Sequence, residues 1–324
     1  PNAGADVHDA GGGFFPDTPA RTAVGKTGLG DIDLSADGSE LFVMNLADKR
    51  IYRYRTEDRA LIGTLPNGAA GEPWAADARP FGLAVAGDVL YHGVVDSAER
   101  SQAASDLRAV VYASGLDGAG MRRVADFGLD YARGLVDVPA GLSARWLPWG
   151  DGYIFHPGPA PGTGWNIRPQ PILSDIVFTA GGDMVLGMRD RYGDMGFYDP
   201  SGLNPDGEGS MIPAGDIVYA RKVGDAFVVQ ASPEYFTDDF GPGFGAFPVH
   251  DETAFGGLAR LDATGEVVTS AAAPLDIVTG GALWFDPTTA VNTARRELYR
   301  LAGGLTYAKA NGLGDVEQLC VLPP

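Results

Sequence analysis

Cysteine is nearly missing from this chain of 324 residues, with Cys320 its one thiol. A single cysteine closes no internal disulfide, so the chain does not belong to the bridge-stapled secreted class. With 45% hydrophobic residues it has the material for a large core without staples. Cys320 reads as a small residue on a terminal strand, with an intermolecular link or lipid attachment as the functional alternative. Histidine is also scarce: His8, His92, His156 and His250 are the full set and show no metal-type spacing, which argues against zinc. Cations are few, with 24 Lys and Arg against 42 Asp and Glu and a net charge of −18. Such a surface repels phosphate backbones and anionic lipid and attracts divalent cations. No hydrophobic run approaches the length that spans a bilayer. No sustained helical period bounded by caps occurs. A Gly-x-Ser-x-Gly elbow, a phosphate-cradling Gly-x-x-x-x-Gly-Lys loop and a dinucleotide fingerprint are all missing. The chain opens on Pro1-Asn2-Ala3-Gly4 rather than on methionine, which reads as a processed or excised segment.

Turn formers are abundant. The 47 glycines and 23 prolines make up roughly a fifth of the chain, against roughly an eighth on average. They punctuate a repeating pattern. In residues 28–45, Ile32 and Leu34 alternate with Asp31 and Asp33, Asp37-Gly38 supplies a hairpin turn, and Leu41, Phe42 and Val43 begin a second strand. Ile51, Tyr52 and Tyr54 suit a third strand and Leu61 to Leu65 a fourth. Residues 81–127 restart the pattern with a turn at Gly87-Asp88. Residues 172–231 repeat it, with Asp175-Ile176 in the place of Asp31-Ile32 and Gly181-Gly182 in the place of Asp37-Gly38. Further starts occur at Gly256, with a turn at Thr264-Gly265, at Gly280, and at Gly312, where Gly-Leu-Gly-Asp-Val-Glu copies the opening Gly28-Leu-Gly-Asp-Ile-Asp.

Four short antiparallel strands per unit is the content of one propeller blade. The fold expected is therefore an all-β propeller. Six unit starts predict six blades, and the spacing accommodates five to seven. The arm 1–25 precedes a single domain over 26–324, which carries long loops at 131–171 and 232–253. Ring closure is expected from the arm and from residues 315–322.

Four constellations invite a chemical reading. Trp146, Trp149 and Trp165 on the first long loop, with Tyr235 and Phe236 on the second, suit contact with a protein or glycan partner; the alternative is that the rings staple the loops to the body. Asp190 and Asp194, around Gly193, are candidate Ca²⁺ ligands, with ion pairing to Arg189 and Arg191 as the competing reading. Asp31 and Asp175 recur at strand entry and are candidates to converge on one cation in the central channel, unless each accepts backbone N–H bonds where its strand begins. His250-Asp251-Glu252, preceded by Glu234, Asp238 and Asp239, reads as a solvated or Ca²⁺-stiffened loop.

Several phrases together resemble a known family: 28–35, Arg79-Pro-Phe-Gly-Leu, 171–178 with 187–194, Gly256-Gly-Leu, and 310–317. They are similar to the propeller-like module of large secreted bacterial surface proteins, which often precedes serine–aspartate-repeat B-type domains. The resemblance implies an extracellular, cell-surface or periplasmic setting and a role in adhesion or surface assembly, and carries no catalytic residues with it. The functional expectation is a non-catalytic binding propeller. A metal-dependent hydrolase or lactonase with channel acids is the rival, and a structural subunit of an envelope or appendage complex is a third reading.

Overall fold

A computed structural model describes residues 4, 18–137, 142–152, 154, 156–157, 164–195, 213–230, 235–239, 251–275, 279–300 and 314–318. Helix α1 (Thr18–Ala23) leads into strands β1 (Leu29–Leu34), β2 (Glu40–Asn45), β3 (Arg50–Arg55) and β4 (Leu61–Pro66), which form blade 1. Blade 2 holds β5 (Ala78–Ala86), β6 (Val89–Asp96), β7 (Arg108–Gly115) and β8 (Arg122–Gly128). Two short ribbons follow in the first long loop. One pairs β9 (Leu135–Asp137) with β10 (Leu142–Ser143), the other β11 (His156–Pro157) with β12 (Gly164–Trp165). Blade 3 holds β13 (Pro171–Phe178), β14 (Met184–Asp190), β15 (Asp216–Val223) and β16 (Ala226–Val229). Blade 4 holds β17 (Ala254–Arg260), β18 (Val267–Ala272), β19 (Thr279–Phe285) and β20 (Asn292–Arg300).

The all-β propeller expectation therefore holds, and the described residues contain four four-stranded antiparallel blades. The unit starts at 28, 81, 172 and 256 each open a blade. The start at Gly280 does not: it opens β19, which pairs with β18 and makes the second hairpin of blade 4. The start at Gly312 leads into 314–318, which lies against β17 at the hub, where Ser270 Oγ donates to Gly314 O at 3.1 Å. Phe14, Phe15 and Cys320 lie outside the described residues.

Blades stack through apolar faces, because a strand buried on both sides must carry apolar residues at both alternations. Phe42, Met44, Ile51 and Leu65 of blade 1 meet Leu83 and Leu90 of blade 2. Val95 and Val111 of blade 2 meet Leu173, Leu186 and Val218 of blade 3. Val185 and Ile217 of blade 3 meet Leu258, Leu283 and Phe285 of blade 4. At about 1.5–3 kcal/mol per buried Leu, Ile or Phe, these seams are the main cohesion between blades. The first strand of each blade packs on the first strand of the next, β1 on β5, β5 on β13 and β13 on β17, so these strands line the hub. The arm is pinned from below: Arg191 donates through Nε to Val24 O at 2.8 Å and through Nη2 to Thr22 O at 3.2 Å. Among the described residues no helix is long and apolar enough to cross a membrane.

Candidate functional site

The four hub strands share one irregularity. Each has a register break just before Ile32, Leu83, Asp175 or Leu258, which turns its entry residue inward. Going round the hub the inward residues alternate: Asp31, Gly82, Asp175, Gly257, then Asp315. Each aspartate works in two directions. Asp31 accepts the Ile32 N–H at 2.7 Å through Oδ1 and, through Oδ2, the Leu83 N–H of blade 2 at 2.7 Å. Asp175 accepts the Ile176 N–H at 2.6 Å and the Leu258 N–H of blade 4 at 2.6 Å. Asp33 repeats the reach one pleat along, onto the Val85 N–H.

The glycines between them have a packing reason. A Cβ on Gly82 would sit 2.9 Å from Asp175 N, and one on Gly257 would sit 2.8 Å from Asp315 Cα and 2.7 Å from Gly314 O. Backbone is what lies opposite in both cases, and backbone does not yield. Gly257→Ala should therefore lower stability by roughly 2–4 kcal/mol, measured as the urea midpoint against that of the parent chain.

The hub opens into a funnel of about 530 Å³ with Asp31, Asp33, Asp175 and Glu317 on its wall beside Arg260 and Gln318. Burial and the neighbouring Asp315 push Asp31 up to about 8. Burial raises Asp175 well above the usual carboxylate range, reinforced by the nearby Asp31 and Asp315 carboxyl groups. Burial likewise raises Asp33 and Glu317.

A second cluster forms where residues of the loops after blades 2 and 3 meet. Arg133, with its side chain fully buried, donates from Nη2 to Glu252 Oε2 at 2.7 Å, to Ala214 O at 3.0 Å and to Gly215 O, and from Nη1 to Ala144 O. Its guanidinium lies 3.8 Å from the Trp146 ring centroid. Asp216 approaches Arg133 Nε at 3.6 Å and accepts the Tyr131 hydroxyl proton. Burial and Glu252 raise Asp216 to about 7. Asp238 accepts the Ala254 N–H at 2.6 Å through Oδ2, while its buried Oδ1 has no hydrogen-bond partner; burial, Glu252 and Asp216 raise it well above the usual range. Glu252 holds a left-handed backbone with φ 61 to reach this cluster.

The residues read from sequence as partner contacts divide on burial. Trp146 and Trp149 are both fully buried, so neither meets a partner; they staple the loop. Trp146 Nε1 donates to the Tyr131 hydroxyl at 3.2 Å, and Trp149 Nε1 donates to Pro171 O at 2.8 Å with Arg191 4.6 Å from its ring centroid. Phe236 is buried between blades 3 and 4, which corrects its reading as a contact residue. Tyr235 is half-buried and stays at the surface of a cleft. Trp165 pairs with His156 in a ribbon, and its side chain lies outside the described residues, as do Glu234 and His250.

The Ca²⁺ reading of Asp190 and Asp194 is corrected as well. Asp190 caps a loop by accepting the N–H groups of Gln170, Tyr192 and Ala214, and burial raises it to about 7. Asp194 forms a two-pronged pair with Arg189. Their oxygens are committed in different directions. Asp31 and Asp175 both line the hub funnel, where each accepts a backbone N–H of its own strand and one of the next blade. Among the described residues no group of three His, Cys, Asp or Glu side chains is arranged to hold a metal ion. Sequence reasoning missed Arg133 and Asp216. The pair Asp216-Ile217 offered a signal, since it repeats the Asp-Ile entry and the Ile217 N–H bonds back to Asp216 at 2.6 Å.

No family model matches the chain. Among curated proteins it is similar to Colossin-B of Dictyostelium discoideum, 25% identical over 91% of this chain and 8% of that protein. It is also similar to Colossin-C of the same organism, 24% identical over 92% of this chain and 30% of that protein, and to Colossin-A, 26% identical over 62% and 2%. The chain thus spans less than a third of the length of each of these relatives. Among solved structures it is similar to a hypothetical selenium-binding protein of Sulfolobus tokodaii, with a TM-score of 0.39 and 11% identity over 81% of this chain and 52% of that one. A putative 6-phosphogluconolactonase of Bacteroides fragilis gives a TM-score of 0.33 and 12% identity over 83% and 70%. Likeness at that distance says nothing of chemistry, and the propeller assignment rests on the chain's own sheets.

Proposed function

We propose that the chain is a non-catalytic propeller module of a much longer secreted or cell-surface protein, a rigid wheel that offers its loops and inter-blade clefts to a protein or glycan partner. One observation carries this reading. The hub acids, which in a metal-dependent hydrolase would be free to ligate and activate water, are here bonded to main-chain N–H groups of their own blade and the next. They act as latches between blades. The module reading is supported by the small share of the colossins that the chain matches, and the surface setting by the sequence phrases that resemble propeller modules of surface proteins. An acidic surface of net charge −18 fits a soluble, monodisperse scaffold.

The test is thermal unfolding in EDTA and in about 1 mM Ca²⁺, paired with a lactone-hydrolysis assay. A cation held with micromolar affinity would add about 4 kcal/mol at that concentration. The expected result is the same Tm in both buffers and no hydrolysis. A stoichiometric metal that survives gel filtration, with lactone turnover abolished by Asp175→Ala, would establish the hydrolase reading instead. Light scattering that shows concentration-dependent polymers of the isolated chain would favour a structural subunit.

A further inference from the structure

A cleft of about 820 Å³ lies between blades 3 and 4, bounded by the turns around Ala180, Gly265 and Pro287; it shares Thr179 and Ala180 with the wall of the hub funnel. Its volume is that of a small-molecule site. Its wall carries one aromatic plate. Tyr235 stacks on Tyr219 with centroids 4.6 Å apart and meets Phe236 edge-on at 5.2 Å, and Phe236 is edge-on to Phe285 at 5.4 Å in the blade core. The Tyr235 hydroxyl donates to Thr288 O at 2.8 Å and reaches Pro287 O at 3.1 Å, which clamps the ring from its far end. The Tyr219 hydroxyl is held by Asp183. A ring fixed in this way loses little conformational freedom on binding.

Around the plate the wall is polar and already oriented. Glu266 accepts the hydroxyl protons of Thr264 at 2.8 Å and Thr293 at 2.5 Å, one on each carboxylate oxygen. Asp286 is fixed by the Thr288 N–H at 2.8 Å. Each carboxylate keeps acceptor capacity for a hydroxyl or ammonium group after these bonds. Three carboxylates, on Asp183, Glu266 and Asp286, face one guanidinium, on Arg221. That balance repels anionic ligands. A flat apolar face beside a ring of fixed acceptors suits a molecule with a C–H face and a hydroxyl edge, which is the shape of a pyranose.

We propose that this cleft is a carbohydrate-binding subsite, taking pyranose rings of a neutral or amino glycan against Tyr235. The proposal rests on the reading of the chain as a binding module and names its ligand class. A saturation-transfer NMR measurement on the full chain tests it, with cellobiose and the glucosamine disaccharide as probes at about 10 mM and glucuronate as control. Transfer to ring protons of at least one probe is expected, with none to glucuronate. Tyr235→Ala should weaken binding about tenfold or more, while Tyr235→Phe, which keeps the plate, should stay within about twofold. Glu266→Lys should weaken the amino disaccharide about tenfold, with an unchanged thermal midpoint showing that the fold is kept. Absence of transfer from both probes overturns the proposal, as does binding that survives both Tyr235→Ala and Glu266→Lys. Silence of this kind leaves the module reading standing, whereas hydrolysis products in the same spectra would overturn the module reading itself.

Discussion

Arg133→Met should destabilise the propeller by roughly 3–5 kcal/mol, the cost of removing one partner from a buried ionic cluster. Methionine restores much of the volume but none of the donors. Glu252 loses its cation, and Ala144 O, Ala214 O and Gly215 O lose hydrogen bonds in the interior. Because Asp216 and Asp238 share the cavity, the defect should deepen as pH rises and the remaining carboxyl groups are forced to ionise without a countercharge. Urea unfolding of both chains at pH 6 and pH 8 measures it, and equal midpoints at both pH values would remove Arg133 from its structural role.

The parent chain itself should lose stability between pH 6.5 and pH 8. Burial penalises the anion and holds Asp31 protonated to about 8 and Asp190 and Asp216 to about 7, and it raises Asp175 and Asp238 well above the usual carboxylate range. In the unfolded chain these groups titrate near 3.8. Over this window the folded state binds more protons than the unfolded state, so stability falls as pH rises. It falls by about 1.4 kcal/mol per pH unit for each proton that the folded state alone retains. The stabilisation is fully present near pH 4 and lost as pH passes each folded value. His92 works the other way, since burial lowers it to about 4, but its effect ends near 6.5, below the window. A urea midpoint that drops from pH 6.5 to pH 8 is the expected result, and a flat or rising midpoint would contradict the assignment of protons to these sites.

The blades were legible because their turns are local. Gly38, Gly87, Gly182 and Gly265 all adopt positive φ at the hairpins where sequence placed them. Strand position within a blade was not legible. Gly280-Gly281 looks like the hub entry Gly256-Gly257, yet it starts the third strand of blade 4, and only the pairing of Val267–Ala272 with both neighbours distinguishes the two. The loop tryptophans were ambiguous for a related reason. What covers Trp149 is Arg191 and the arm, more than a hundred residues apart in sequence. The recurring aspartates could be read as strand-entry caps, which they are, but their reach onto the next blade depends on the hub spacing that Gly82 and Gly257 permit. The carboxylates of the second cluster lie on separate loops, and no spacing rule joins Arg133 to Glu252.

The account stands on the aspartates acting as latches from blade to blade, and amide hydrogen exchange reads those latches one at a time. In Asp175→Ala the Leu258 amide loses its acceptor while the Leu83 amide keeps Asp31. The expected result is a fall in Leu258 protection of about tenfold or more, with Leu83 unchanged after correction for global stability. Leu258 protection equal to that of the parent chain would contradict the latch.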